Sequence, residues 1–208
     1  MTTPQPAITA RWHFGIPIYA RHLPLFADHQ AAIAEHIQQL QDIDKDQGIK
    51  RSNQGGWHSS DRLHLTQHED TRWLILRLLE IASQCIRNFE GERPLQDIKM
   101  VAAWANINCR GQWNAPHEHL PCSWSEVFYV DAGEPLADAD DPEQLEGKIM
   151  FFDPLPLGDE WKRPVNINYT PITGAMLLFP AFLTHMVAPY FGDQPRISLA
   201  FNLLVERG

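Results

Sequence analysis

Two histidines separated by one residue form the first group in this sequence that could do chemistry. His117 and His119 flank Glu118 in the segment GQWNAPHEHLP, immediately after Pro116. The proline favours an extended or turn-like path over a helix. In such a path both imidazoles project from the same face and can chelate one metal ion. Taken alone, the pair is explained equally well as two histidines in a polar loop.

A third histidine strengthens the metal-centre hypothesis. His185 comes just after an apolar strand predicted over residues 175–179, a position from which a side chain can point into the mouth of a barrel. Three neutral nitrogens on one side of a metal leave open positions opposite, as oxygen chemistry requires. Glu118 is the alternative ligand, but the alternation of an extended chain directs it away from its two neighbours. The sequence therefore predicts a metal centre of His117, His119 and His185.

An arginine at the start of the last predicted strand is the candidate anion-binding residue. Arg196 follows His185 by eleven residues and is followed by Ile197 and Ser198. Its planar guanidinium can bind a carboxylate through two parallel hydrogen bonds, and the Ser198 hydroxyl would reach the same anion. Considered alone, Arg196 is better explained as a strand-edge residue in a surface ion pair.

The elements that must position these residues lie beyond residue 94, where hydrophobicity alternates with a period of two. The polar faces of segments 101–110 and 196–205 carry asparagine and serine in place of the lysine and glutamate usual on water-facing strands, which favours a cavity wall. The predicted pocket donors are Asn106, Asn108, Tyr129 and Asn202. Each is explained equally well as a buried residue that satisfies backbone groups.

The remaining strands predict a jelly roll. Alternating segments at 125–130, 148–152, 165–169 and 175–179 complete a set of about seven or eight strands. The acidic run 131–147 between them is predicted to be an extended hairpin loop. The expected fold is mainly β with flanking N-terminal helices, a double-stranded β-helix of the cupin-like, jelly-roll type.

Two helices precede this β-rich body. A strand is predicted over Ile8 to Ala20, and a helix from Pro24 to about Gln41. The polar segment 42–60 is predicted to be an exposed loop. A second helix follows Thr66, which forms a capping box with Glu69, and it ends near residue 91.

Length and composition bound the function. A chain of 208 residues predicts one domain over 1–208, with helical support at about 24–92 and a jelly-roll body at about 96–206. The net charge of −9 argues against a nucleic-acid partner. No apolar run approaches the length of a membrane span, and the N-terminus lacks the pattern of an export signal. Three scattered cysteines favour a reducing cytoplasm. A homodimer is the candidate assembly.

The quoted motifs together resemble a known family. The segments WANINCRGQWNAPHEH, SWSEVFYV, GAMLLFP and RISLAFN, with His185 between the last two, resemble the 2-oxoglutarate- and Fe(II)-dependent oxygenases of a small bacterial group in the double-stranded β-helix superfamily. The resemblance is strong in the C-terminal half and weak at Gly55, Gly56 and Trp57. His119 stands where the superfamily usually has a carboxylate, and Glu126 where this group is expected to have glycine.

The resemblance implies an activity and its cofactors. Fe(II) would be held by His117, His119 and His185, and the distal carboxylate of the co-substrate 2-oxoglutarate by Arg196 and Ser198. The expected reaction is hydroxylation of an unidentified small molecule or peptide, with decarboxylation of 2-oxoglutarate to succinate. Two alternatives stay open: a cupin-like metal-dependent dioxygenase that does not use 2-oxoglutarate, and a non-catalytic module that binds a metal or a small acid.

Overall fold

Two antiparallel sheets form the body of the computed structural model, which describes residues 9–13, 15–44, 48–91, 95–134, 144–155 and 165–207. The larger sheet has the strand order β1-β2-β10-β7-β12-β5-β4, and the smaller sheet has the order β3-β6-β11-β8-β9. The strands are β1 Thr9–His13, β2 Ile16–His22, β3 Asn53–Gln54, β4 Trp57–His58, β5 Leu95–Asn108, β6 Trp113–His117, β7 Trp124–Asp131, β8 Ile149–Phe152, β9 Asn166–Tyr169, β10 Ala175–Pro180, β11 His185–Val187 and β12 Arg196–Arg207.

Two helices, α1 Gln30–Ile43 and α2 Glu69–Glu90, pack against one face of the larger sheet. Their buried residues share one hydrophobic core with Phe128, Leu199 and Phe201 from β7 and β12. A second core, which includes Phe151 and Phe179, joins the smaller sheet to the larger one. Among the described residues, no helix combines the length and hydrophobicity needed to span a membrane. The predicted mainly β fold with N-terminal helices is confirmed.

The period-two alternation correctly predicted the faces of the long strands. On β5 and β12, the side chains of Ala105, Ile107, Ile197 and Leu199 lie in the core shared with the helices. The alternate residues line a cavity on the other face. Because β12 pairs with both β5 and β7, these three strands form one continuous cavity wall.

Several predicted boundaries were wrong. The single N-terminal strand is a hairpin of β1 and β2, whose turn contains Gly15 with a φ of 74°. The first helix begins at Gln30, because Pro24 starts a short 3-10 helix that ends at Asp28. The N-cap of α2 is His68 and not Thr66. The His68 side chain accepts a hydrogen bond from the backbone N–H of Thr71.

Two predicted loops have different outcomes. Segment 42–60 is not simply an exposed loop, because it contains β3 and β4, and the side chains of Trp57 and His58 are buried. Each of these short strands extends one of the two sheets, so the segment connects them. Most of the acidic segment 131–147 lies outside the described residues.

Candidate active site

A cavity of about 470 Å³ is lined by residues of both sheets and of the segment that connects them. Its polar lining from the large sheet comes from the alternate residues of β5, β7 and β12. Its lining from the small sheet includes the end of β6 and the start of β11. The lining residues include Arg51, Ser52, His58, Asp61, Trp104, Asn106, Asn108, His117, His119, Glu126, Tyr129, His185, Arg196, Ser198 and Asn202.

The three predicted metal ligands converge at this cavity. His117 ends β6 and His185 begins β11, and the two residues are directly opposite in the antiparallel register. His119 follows β6 and is held by a backbone hydrogen bond from its N–H to the Ala181 carbonyl, at 2.8 Å. One nitrogen from each ring lies within 4.8 Å of the other two. Among the described residues this is the one group of histidine, cysteine and carboxylate side chains close enough to share an ion, and Glu118 is not part of it.

Backbone carbonyls fix the orientation of two of these rings. His117 Nδ1 donates to the Ala115 carbonyl at 2.7 Å, and His185 Nδ1 donates to the Leu183 carbonyl at 2.9 Å. A hydrogen on Nδ1 leaves the lone pair on Nε2, the arrangement that is common for metal-binding histidines. The Nε2 lone pair of His185 is therefore available at the cluster, whereas His117 Nε2 lies 3.4 Å from the Ser52 hydroxyl, a hydrogen bond that a bound ion would replace.

Burial keeps the three imidazoles in the form that binds metals. Desolvation, with smaller contributions from the nearby rings of His117 and His58, lowers the pKa of His119 to about 4. Burial is also the main cause that lowers the pKa of His117, and it holds that of His185 well below its ordinary value. Neutral imidazole nitrogens are suitable ligands for iron, zinc, copper or nickel. The donor set thus fits a divalent transition-metal ion such as Fe(II).

Arg196 lies at one end of the cavity with its charge buried. Its side chain is 3 % exposed, one guanidinium nitrogen donates to the Gly147 carbonyl at 2.6 Å, and the group lies 5.2 Å from the centre of the Tyr190 ring. No carboxylate of the described residues forms an ion pair with it. A buried cation without a counter-ion is costly, so this end of the cavity fits a ligand that carries a carboxylate.

Neutral hydrogen-bonding groups surround the guanidinium. Asn108 is opposite Arg196 in the β5–β12 pair, and Ser198 lies between Asn106 and Tyr129 on the neighbouring strands. Burial raises the pKa of Tyr129 to about 12, so its phenol stays a hydrogen-bond donor at neutral pH. Asn202 lines the same cavity, but six residues of strand place it about 20 Å from Arg196.

The sequence reasoning missed two residues of this region. His58, assigned to an exposed loop, is buried, and its ring stacks on Trp104 with 5.3 Å between the ring centres. Its only sequence signal was the weak family resemblance at the preceding Gly-Gly-Trp. Tyr190 packs under the Arg196 guanidinium and is held by a hydrogen bond from its hydroxyl to the Gln194 carbonyl. No pattern in the sequence indicated that role.

One protein family matches the central part of the chain. Residues 102–202, just under half of the chain, match the family described as "Putative 2OG-Fe(II) oxygenase". The matched segment contains the three histidines, Arg196 and Ser198. No curated protein matches the chain significantly in sequence. The predicted resemblance to 2-oxoglutarate- and Fe(II)-dependent oxygenases is confirmed over this segment, and the three histidines within it could hold the iron that such enzymes use.

Solved structures of low sequence identity share the fold. A prolyl-4-hydroxylase from Pseudomonas putida is 19 % identical, with a TM-score of 0.61 and coverage of 97 % of this chain and 93 % of that chain. A prolyl hydroxylase from Trichoplax adhaerens, solved with a peptide fragment, is 12 % identical, with a TM-score of 0.64 and coverage of 90 % and 83 %. HygX from Streptomyces hygroscopicus, solved with nickel, 2-oxoglutarate and hygromycin B, is 10 % identical, with a TM-score of 0.59 and coverage of 89 % and 82 %. The fold is a double-stranded β-helix.

Proposed function

We propose that this protein is a 2-oxoglutarate-dependent dioxygenase, an oxidoreductase with Fe(II) and the co-substrate 2-oxoglutarate, which hydroxylates a substrate at the cavity of the three histidines with 2-oxoglutarate bound between the metal and Arg196. In this assignment His117, His119 and His185 hold Fe(II). The distal carboxylate of 2-oxoglutarate is held by Arg196 and Ser198. The observation that carries the proposal is a buried guanidinium without a carboxylate partner among the described residues, in the same cavity as three neutral imidazoles.

The residues around the metal position and Arg196 orient the groups that are proposed to bind the metal and 2-oxoglutarate. The Ala115 and Leu183 carbonyls hold two of the imidazoles with Nε2 toward the metal position. Tyr190 and the Gly147 carbonyl hold the guanidinium so that its remaining N–H groups can bind a carboxylate in parallel. Tyr129, Asn106 and Asn108 are proposed to donate hydrogen bonds to the bound 2-oxoglutarate. Asn202 is too far along β12 for that role, and we assign it to the substrate end of the cavity.

Iron, when bound, supplies the oxidative chemistry in which dioxygen and 2-oxoglutarate yield succinate, carbon dioxide and a hydroxylated substrate. The chain contributes binding, orientation and exclusion of water. A dioxygenase that does not use a 2-oxoacid would leave Arg196 buried without an anion, so the buried guanidinium favours the 2-oxoglutarate-dependent reaction over that alternative.

The direct test is spectroscopic. Anaerobic addition of Fe(II) and then 2-oxoglutarate to the metal-free protein is expected to produce a weak visible charge-transfer band that neither addition produces alone. Zinc with 2-oxoglutarate serves as the control and should give no band. Absence of the band at saturating concentrations, with iron shown to be bound, would reject chelation of 2-oxoglutarate at this centre.

Broader expectations are proposals as well. We infer that the chain acts as one domain over residues 1–208 and that it works in the cytoplasm. The cysteines Cys85, Cys109 and Cys122 are all free thiols, which supports a reducing compartment. A small-molecule or peptide substrate, the lack of a nucleic-acid or membrane partner, and a homodimer stay predictions from the sequence.

A further inference from the structure

Residues 51–61, here called the mouth segment, cross from one sheet to the other beside the three histidines. β3 in this segment pairs with β6, which carries His117, and β4 pairs with β5 of the larger sheet. Asn53 orders the turn, because its Oδ1 accepts from the Arg51 backbone N–H at 2.7 Å and its Nδ2 donates to the Gly56 carbonyl at 2.6 Å. The mouth segment is therefore an ordered wall of the cavity, next to the metal position.

His58 presents an unused hydrogen-bond acceptor from this wall. Its side chain is 4 % exposed, and its Nδ1 donates to the Ser59 carbonyl at 2.6 Å. The lone pair is therefore on Nε2, to which no described residue donates. His58 is opposite Asn106 in the β4–β5 pair, and side chains of directly opposite residues lie on one face of a sheet. The acceptor thus belongs to the cavity face.

Two opposite charges lie next to this acceptor. Arg51 and Asp61 both line the cavity, and their charged groups are 3.1 Å apart. Both charges influence the pKa of His58, which burial lowers, so the ring stays a neutral acceptor. The two side chains are 60 % and 38 % exposed, and an ion pair this exposed contributes little to folding. The pair is available to a ligand without loss of the fold.

We propose that the mouth segment is the substrate subsite and selects a free amino acid or a similarly small zwitterion. Asp61 and His58 Nε2 receive the ammonium group, and Arg51 receives the carboxylate. In an α-amino acid the two charged groups are attached to one carbon, so their separation is comparable to that between the Arg51 and Asp61 side chains. This proposal rests on the proposed function, because it places the zwitterion next to the three histidines.

The size of the cavity agrees with a small substrate. Its volume of about 470 Å³ lies in the lower half of the range usual for small-molecule sites, roughly 300–1,000 Å³, and 2-oxoglutarate must share it. Asn202, whose Oδ1 has no hydrogen-bond partner among the described residues, and Ser125 line the end remote from Arg196, so they would contact the substrate side chain. A polar side chain is therefore favoured over an aliphatic one.

Calorimetric titration without turnover tests the subsite. Protein loaded with Zn(II) and 2-oxoglutarate is titrated with each common L-amino acid, and every amino acid that binds is titrated again as its Nα-acetyl derivative and as its carboxamide. Each modification removes one charge and should weaken binding about tenfold. The Asp61→Asn variant should bind the free amino acid and its Nα-acetyl derivative with equal affinity. The Arg51→Gln variant should bind the free amino acid and its carboxamide with equal affinity. His58→Phe keeps the ring stack on Trp104 and should weaken the free amino acid several-fold.

The matched control is the exposed ion pair of Arg77 and Glu80 on α2, at 2.7 Å. Arg77→Gln and Glu80→Gln should leave every affinity unchanged. The subsite is refuted if no amino acid binds, if blocked derivatives or an end-blocked peptide bind as tightly as the free amino acid, or if the Asp61 and Arg51 variants weaken all ligands alike. The 2-oxoglutarate titration of the same protein is a separate result, because a failure there counts against the proposed function and the amino-acid titrations alone decide the subsite.

Discussion

The strands β5, β7 and β12 have two different faces. Every second side chain packs against α1 and α2, and the side chains between them line the cavity. The helix face is filled by apolar groups such as Phe128, Leu199 and Phe201. On the cavity face, Arg196 has no carboxylate partner and Asn106 Oδ1 has no hydrogen-bond partner within the part of the chain that the structure describes. Because buried polar groups are normally paired, unpaired ones that face a cavity mark the positions of ligands.

Glu126 is the exception on the helix face. Alternation places it with Trp124 and Phe128, close enough to Cys85 to influence the pKa of that thiol. Its side chain is 1 % exposed, and neither carboxylate oxygen has a hydrogen-bond partner among the described residues. Burial raises the pKa of Glu126 well above its ordinary value. Glu126 is also among the residues that line the cavity, and its unpaired carboxyl group costs stability wherever no ligand contacts it.

The largest effect is expected on the cavity face at the metal position. His185→Ala removes one of three ligands and should weaken Fe(II) binding by more than about a hundredfold, because loss of an outer-shell partner alone costs up to that much. Succinate formation should fall to background. The measurement is elemental analysis of the purified protein, with the exposed His22→Ala as control. Full metal occupancy in the His185 variant would remove that residue from the metal centre.

At the other end of the cavity, Arg196→Leu should weaken 2-oxoglutarate binding about a hundredfold, because two charge-assisted hydrogen bonds are lost. Iron content should be unchanged. Anaerobic titration of the visible band gives the affinity for 2-oxoglutarate. Arg196→Lys keeps the charge but not the planar guanidinium, so its affinity should lie between those of Arg196→Leu and the wild type. Equal succinate output from Arg196→Leu and the wild type would contradict the assignment.

A smaller effect is expected at Ser198. Ser198→Ala removes one hydroxyl hydrogen bond to the same carboxylate, so 2-oxoglutarate affinity should fall about two- to tenfold. The protein should melt within about 1 °C of the wild type, because no described residue depends on this hydroxyl. An unchanged affinity in the same anaerobic titration would leave Arg196 as the main anchor and exclude the serine.

On the helix face a change should alter stability and not binding. The folded chain holds the Glu126 proton to higher pH than the unfolded chain, so wild-type stability falls as the pH rises above the ordinary glutamate range. Glu126→Gln has no proton to lose, and its melting temperature should exceed that of the wild type by roughly 2–4 °C at pH 8. The advantage should shrink toward pH 5. An equal difference at both pH values would show that ionisation of Glu126 is not the cause.

Local patterns in the sequence were sufficient for much of this molecule. The period of two on β5 and β12 correctly separated the core face from the cavity face, because neighbouring side chains of any strand point to opposite sides. The convergence of His117, His119 and His185 also agrees with the prediction. Boundaries were less predictable: Pro24 and Thr66 both carry helix-start signals, but tertiary packing placed the first helical residues further along.

By itself the sequence determined which residues share a face and which side chains can bind a metal or an anion, since these follow from residue type and local spacing. Only the tertiary structure decided that Arg196 has no carboxylate partner among the residues it describes and that Glu126 lies on the side of the helices. It also decided that residues 51–61 form a cavity wall next to His117. Each of these facts depends on contacts between segments distant in the chain, and no local pattern encodes them.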